Sequence, residues 1–280
     1  MKDLSDDLRQ AIKERLTPAA IDVRKRWQKM PTLGRDERWC LLVTVLRNGR
    51  VVPHALHQAR TWVAEGFRLI LIAVTDEIDS PLDGEPAALA DGILLRANQG
   101  YDFGAWSAAI QALPALHDAA LLVTTNDSMF GPLDGFRALL DRVYASDADL
   151  IGLTDSNYHR RHFQSYLLFY KPHALRHVAF WRFWRRIRTG DRWMVIVRYE
   201  TRLLKVFTHA GLSGEVLFPT SGGPAATLKG WKALVERGFP FVKVQLLRDN
   251  PFDDDIADWE TFLQRRGYDP QHCYALLASS

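Results

Sequence analysis

The residues best suited to chemistry in this chain lie in Ala119-Ala120-Leu121-Leu122-Val123-Thr124-Thr125-Asn126-Asp127-Ser128-Met129-Phe130-Gly131-Pro132. An apolar run rich in strand formers stops at an amide, a carboxylate and a hydroxyl, and a Gly-Pro turn follows. In open α/β sheets ligands bind beyond the carboxyl ends of the strands, which is where Asn126, Asp127 and Ser128 would fall. A carboxylate flanked by hard oxygen donors suits a divalent cation such as Mg2+ or Mn2+, and the diphosphate that the cation bridges. Asp127 is therefore the candidate metal ligand. The same triplet also reads as an Asx-turn closing a strand.

Other polar clusters end apolar, strand-like runs in the same way: Thr75-Asp76, Asn98 to Asp102, and Thr154-Asp155-Ser156. If these strands are parallel, all the clusters converge on one edge of the sheet although they are far apart in sequence. Within Asn98-Gln99-Gly100-Tyr101-Asp102-Phe103-Gly104, Gly100 and Gly104 permit close backbone approach to a ligand. Asn98 and Asp102 suit a nucleoside or sugar, with Tyr101 or Phe103 stacking nearby; Asp102 equally suits a helix cap. His162, Gln164 and Ser165 are candidate hydrogen-bond partners of a substrate, while His159 and His162 match no standard zinc spacing. Glu200 follows Val195-Ile196-Val197 and opens a helix, where it is either a favourable N-terminal charge or a general base for an acceptor hydroxyl. Asp155 is the second candidate base. Lys243 and Arg248 stand in an apolar, Pro-bounded context, where either could neutralise a departing diphosphate or be a surface charge.

These residues need a frame. Residues 1 to about 30 read as helix, with Leu4, Leu8, Ile12 and Leu16 in register and Pro18 starting a second helix that carries Arg24-Lys25-Arg26-Trp27. That basic, aromatic face suits either solvent or anionic lipid head groups. From Trp39 onward strands and helices alternate: strands over 39–46, 68–74, 92–97, the run ending at Asn126, and 148–153; helices over 53–65, 104–113 and 133–144. This rhythm predicts a largely parallel sheet flanked by helices and joined by right-handed crossovers. Phe163 to Tyr170 suits an antiparallel addition, Leu175 to Arg188 a helix dense in aromatics, Leu228 to Glu236 a further helix, and 256–265 the last one. The organisation is thus an N-terminal helical extension over 1–38 and one α/β domain over 39–280.

Composition limits the functions. The net charge is only +3 in 280 residues, with 47% hydrophobic and 25% charged residues, which gives no ground for nucleic acid. Cys40 and Cys273 are far apart and match a reducing compartment rather than a metal or disulfide framework. No apolar stretch approaches a membrane span, and the charged N-terminus lacks a signal-peptide core, so a cytoplasmic location is expected. The absence of G-x-G-x-x-G and of G-x-x-x-x-G-K-[ST] disfavours dinucleotide and P-loop folds.

Taken in order, Asn98 to Gly104, Asn126 to Pro132, Gly152-Leu153-Thr154-Asp155-Ser156, His162-Phe163-Gln164-Ser165-Tyr166, Phe183-Trp184, Tyr199-Glu200 and Gly238-Phe239-Pro240-Phe241-Val242-Lys243 resemble the rhamnan synthesis protein F family of bacterial cell-surface polysaccharide glycosyltransferases. The resemblance spans roughly residues 40 to 250. It implies a GT-A-like (Rossmann-like) domain that moves rhamnose or another deoxyhexose or hexose from a nucleotide-diphosphosugar to a growing lipid-linked glycan; a cytoplasmic chain with peripheral contact at the cytoplasmic face of the inner membrane is the matching expectation. Asn126-Asp127-Ser128 would then stand where such transferases carry an Asp-x-Asp metal motif, with one carboxylate instead of two. A nucleotide-sugar or glycan binding module without turnover is the alternative reading.

Overall fold

The computed structural model describes residues 24–157, 160–220 and 227–277. Its centre is a mixed, mostly parallel eight-stranded sheet in the order β1-β4-β3-β2-β5-β10-β7-β11. The strands are β1 (Lys25–Lys29), β2 (Arg38–Val45), β3 (Arg68–Val74), β4 (Gly92–Arg96), β5 (Leu121–Asn126), β7 (Leu150–Gly152), β10 (Leu167–Tyr170) and β11 (Gly214–Val216). Four of the seven pairings are parallel; β1–β4, β5–β10 and β10–β7 are antiparallel. Strands β2 to β5 are buried almost throughout. Parallel strands covered on both faces read as continuous apolar runs, which is why these were visible in the sequence.

Helices cover both faces. On one side α1 (Pro53–Ala64) brings Ala55, Ala59 and Trp62 onto the sheet. The short α2 (Glu85–Leu89) follows, and on the opposite side α3 (Tyr101–Ala112) is buried from Phe103 to Ile110. A helix apolar on nearly every face belongs in a core, as α3 does. The first face is completed by α4 (Phe136–Ala145). The second is completed by α5 (Pro172–Arg176), α6 (Val178–Arg185), α7 (Arg192–Val195) and α8 (Thr201–His209), whose Phe180, Phe183, Trp184 and Phe207 form an aromatic cluster. Toward the C-terminus α9 (Trp231–Glu236), α10 (Val244–Asp249), α11 (Trp259–Arg265) and α12 (Gln271–Leu277) return to the first face.

Three expectations change. Residues 1–23 lie outside the described residues, but Arg24-Lys25-Arg26-Trp27 is not helical: Lys25–Lys29 is an edge strand with Trp27 opposite Leu94. The open backbone edge of β4 offers a row of hydrogen bonds, and satisfying it outweighs a local helix preference. The basic side chains hold the connection between β3 and β4: Arg26 donates to the Ile78 carbonyl at 3.1 Å, and Lys29 to that of Ala90. Residues 24–29 therefore do not form the basic helix face expected to meet solvent or lipid, and this part of the expected extension is a strand of the main sheet. Second, Glu200 does not open a helix: Val195-Ile196-Val197 before it is already helical, at the junction of α7 and a π-helical segment Ile196–Glu200. Third, the aromatic helix expected over 175–188 is two helices, because His177 caps α6 by accepting from the Ala179 N–H at 3.1 Å. No helix among the described residues is long and apolar enough to cross a membrane.

Candidate functional site

The carboxyl ends of β4, β5 and β7 face one cavity of about 380 Å³. Asn126 ends β5 and organises its floor. Its Oδ1 accepts from the Ser128 N–H at 3.1 Å and the Ser128 hydroxyl at 2.6 Å, which is an Asx-turn. Its Nδ2 donates to Oδ2 of Asp102 at 2.6 Å. Asp102 stands in the first turn of α3, reached through Gly100 and Tyr101, both left-handed at φ 73° and 51°. That bend leaves Tyr101 41% exposed at the rim of the cavity. The turn residue and the candidate site residue are thus the same: Asn126 closes its own turn and reaches across to a carboxylate.

The opposite wall comes from the chain after β7. The strands β8 (Asp155–Ser156) and β9 (His162–Phe163) pair as a small ribbon. His162 places Nδ1 2.7 Å from the Arg160 carbonyl. A carbonyl only accepts, so Nδ1 carries the proton. The Gln164 Oε1 accepts from Thr154 Oγ1 at 2.7 Å, and the Tyr166 hydroxyl lies 2.8 Å from that same Oγ1. Glu200, at the end of the π-helical segment, lines the cavity, and its Oε1 accepts from both the N–H and the hydroxyl of Ser165 at 2.9 Å. A π-helical turn is a common device for re-aiming a side chain at a site.

Lys243 arrives from far along the chain. Strand β6 (Met129–Phe130) pairs antiparallel with β12 (Val242–Lys243), setting Lys243 opposite Met129, and the Val244 N–H donates to the Ser128 carbonyl at 3.0 Å. Burial lowers the proton affinity of Lys243, and the charge of Glu200 opposes that. Arg192, in α7, also lines the cavity. Asp102 is pushed up to about 7, first by burial and then by the charge of Asp127; the Asn126 hydrogen bond pulls the other way.

The cavity therefore brings together Asp102, Asn126, Ser128, His162, Gln164, Glu200 and Lys243. Other expected residues lie elsewhere. Asp127 turns to the end of β2, where its Oδ2 accepts from Thr44 Oγ1 at 2.8 Å and the Val45 N–H at 2.9 Å. Asp155 is not in the lining: Oδ1 accepts from the Thr220 N–H at 2.9 Å and Oδ2 from Arg161 Nε at 3.0 Å. Despite its burial, those partners hold its carboxyl below the usual carboxylate range. Asn98 is exposed on the loop before Gly100, and neither it nor Asp76 lines the cavity. Arg248 is exposed and bonds Asp249 at 2.8 and 2.9 Å. His159 lies outside the described residues. Ser156 lines the cavity as part of its strand-ending cluster, while sequence reasoning missed Arg192 and Tyr166 as cavity residues. The dense basic run around Arg192 was the one signal for it. Among the described residues no three His, Cys, Asp or Glu side chains form a metal-ligating group. Asp127, the expected metal ligand, lies outside the lining of this cavity.

The sequence model of the rhamnan synthesis protein F family matches residues 73–259. The virulence protein VirA of Vibrio anguillarum is 29% identical over 207 residues, covering 61% of this chain and 66% of that protein. The uncharacterized protein y4gN of Sinorhizobium fredii is 31% identical over 152 residues, covering 52% of this chain and 38% of that one. Among solved structures, a cytidylyltransferase from Leptospira borgpetersenii aligns at 8% identity and a TM-score of 0.35, covering 66% of this chain and 77% of that chain.

Proposed function

This chain belongs to the rhamnan synthesis protein F family, whose sequence model matches residues 73–259, and from that premise we propose that its cavity transfers a sugar from a nucleotide-diphosphosugar to a hydroxyl of a growing polysaccharide, as a transferase of the GT-A kind. The observation that carries the reading is the pairing of an anchored carboxylate, Glu200, with the partly buried cation Lys243 in one cavity at the carboxyl edge of the sheet.

In this reading the nucleoside lies against Tyr101 and Asp102, and the donor sugar is held by Asn126, Ser128, His162 and Gln164. Glu200 accepts the proton of the acceptor hydroxyl as its oxygen attacks the anomeric carbon. Ser165 occupies Oε1, which leaves Oε2 for that proton. The bond from the anomeric carbon to the diphosphate oxygen breaks, and the nucleoside diphosphate leaves beside Lys243 and Arg192, whose charges offset the one that develops. The sugar is rhamnose or another hexose, and no step is assigned to a metal. Turnover is expected to persist when a chelator strips divalent ions; its complete loss, restored by Mg2+ or Mn2+, would return a cation to the diphosphate site.

The deciding experiment screens nucleotide-diphosphosugars for thermal stabilisation of the chain, then follows nucleoside diphosphate release. A donor that binds the native state raises its apparent stability. Stabilisation with release, accelerated by glycan acceptors, supports a transferase. Stabilisation with no release under any condition makes the chain a binding module, and no stabilisation by any donor removes the reading.

A further inference from the structure

A second cavity, of about 430 Å³, lies beyond the wall that carries Glu200. Its lining is Arg160, Arg161, Leu204, Lys205, Thr208 and His209, with no carboxylate among them. Arg161 Nε bonds Asp155 at 3.0 Å, which braces one edge of its guanidinium. Arg160 is exposed, and the Arg161 side chain is 65% exposed.

The two cavities are lined by adjacent segments of the same two stretches of chain. Arg160 and Arg161 precede His162, which lines the first cavity. Leu204, Lys205, Thr208 and His209 lie on α8, directly after Glu200. Glu200, Leu204 and Thr208 are spaced by four, so one helix face runs from the carboxylate into the second cavity. At a rise of about 1.5 Å per residue, Lys205 stands roughly 8 Å and His209 roughly 14 Å along the axis from Glu200. A molecule with a hydroxyl at Glu200 would reach the second cavity after a sugar unit or two. A neutral sugar calls for amides and aromatic faces. A cavity lined by arginines and a lysine suits a phosphate, which arginine binds as a bidentate fork.

We propose that this cavity is an acceptor subsite that binds a phosphate carried by the acceptor glycan, a sugar unit or two from the accepting hydroxyl. The proposal rests on the transferase reading of the neighbouring cavity, and its first test does not depend on turnover. Inorganic phosphate is titrated calorimetrically at low salt into the full chain, into Lys205→Glu and Arg160→Glu, and into Lys243→Ala. The expected result is a site weakened at least tenfold by either of the first two substitutions and unchanged by the third. No phosphate binding by the wild type, an unchanged isotherm in Lys205→Glu, or loss only in Lys243→Ala would overturn the proposal while leaving the transferase reading intact. The second test compares soluble acceptor disaccharides that end in a hydroxyl, a methyl phosphodiester or a diphosphate. A KM at least tenfold lower for a phosphorylated acceptor is expected. Lys205→Glu should abolish that advantage with little change in kcat. The diphosphate arm identifies a lipid-carrier linkage and the phosphodiester arm a phosphate within the glycan. Equal KM values for all three overturn the subsite.

Discussion

Glu200 holds two hydrogen bonds at one oxygen, both from Ser165. Replacement by Gln keeps an acceptor for those donors but removes the ability to take a proton. Glu200→Gln is therefore expected to lower kcat by about a hundred- to ten-thousand-fold, while donor affinity measured by calorimetry stays near wild type. Loss of donor affinity instead would make the residue part of the binding surface. Asp102 leads to a prediction in pH. Its carboxyl is pushed up to about 7 in the folded protein, against about 4 in an unfolded chain. Between those values the folded state keeps a proton that the unfolded chain has released, so this group's contribution to stability falls as pH rises through that window. Asp102→Asn retains a carbonyl oxygen for the Asn126 amide and has no charge to bury. The melting temperature of the variant relative to wild type should rise from pH 5 to pH 8. A difference that is flat over that range would show that Asp102 is not held protonated.

The ribbon of β6 and β12 is the element that delivers Lys243. It is pinned where Gly131, at φ 131°, packs against the returning chain: a Cβ there would stand 2.6 Å from the Pro240 carbonyl oxygen and 2.8 Å from the Phe241 ring. Gly131→Ala is expected to destabilise the protein by about 2 kcal/mol or more, because the obstacle is backbone as well as side chain. It should also weaken nucleotide binding by displacing Lys243. Gly49→Ala is the control: φ is 71° there, and nothing lies within 4 Å of the added carbon. Its cost should be about 1 kcal/mol, with nucleotide binding intact. Denaturant midpoints and nucleotide titrations on the two variants separate a loss of stability from a loss of the site. Equal behaviour would show that the ribbon does not position Lys243. This element was only half legible in sequence. Gly131-Pro132 announced a turn and Lys243 a cation, but β6 and β12 are two residues each and more than a hundred residues apart. No local signal pairs them.

At the scale of the molecule, the sheet has two different ends. β11 closes one end beside β7, and β1 closes the other by covering β4, whose Ile93, Leu94 and Leu95 are apolar and buried. Uncovering β4 would expose a flat apolar edge, a template for pairing between chains. A chain starting at residue 31 is therefore expected to melt at lower temperature and to form concentration-dependent aggregates in light scattering. A monodisperse truncated chain with unchanged melting would show that β1 adds nothing to the fold. The same scale explains the misread N-terminus: whether Lys25–Lys29 is helix or strand depends on the open edge of β4, seventy residues later.

What the sequence determined by itself was the alternation and its polar stops. Runs such as Arg68–Val74 and Leu121–Asn126 are long enough and apolar enough to be buried strands. Once such strands are parallel, Asp102, Asn126 and Ser128 must gather at one edge whatever the details. Tertiary structure alone decided the insertion of β10 between β5 and β7, the arrival of Lys243 and Arg192, and which carboxylates face the cavity. Asp127 and Asp155 have the same credentials in sequence as Asp102 and Glu200. Yet Asp127 is bonded to Thr44 and Val45, and Asp155 to Thr220 and Arg161. The long, buried strands of the sheet follow from apolar runs near in sequence, whereas the direction of a carboxylate depends on which distant donors reach it first.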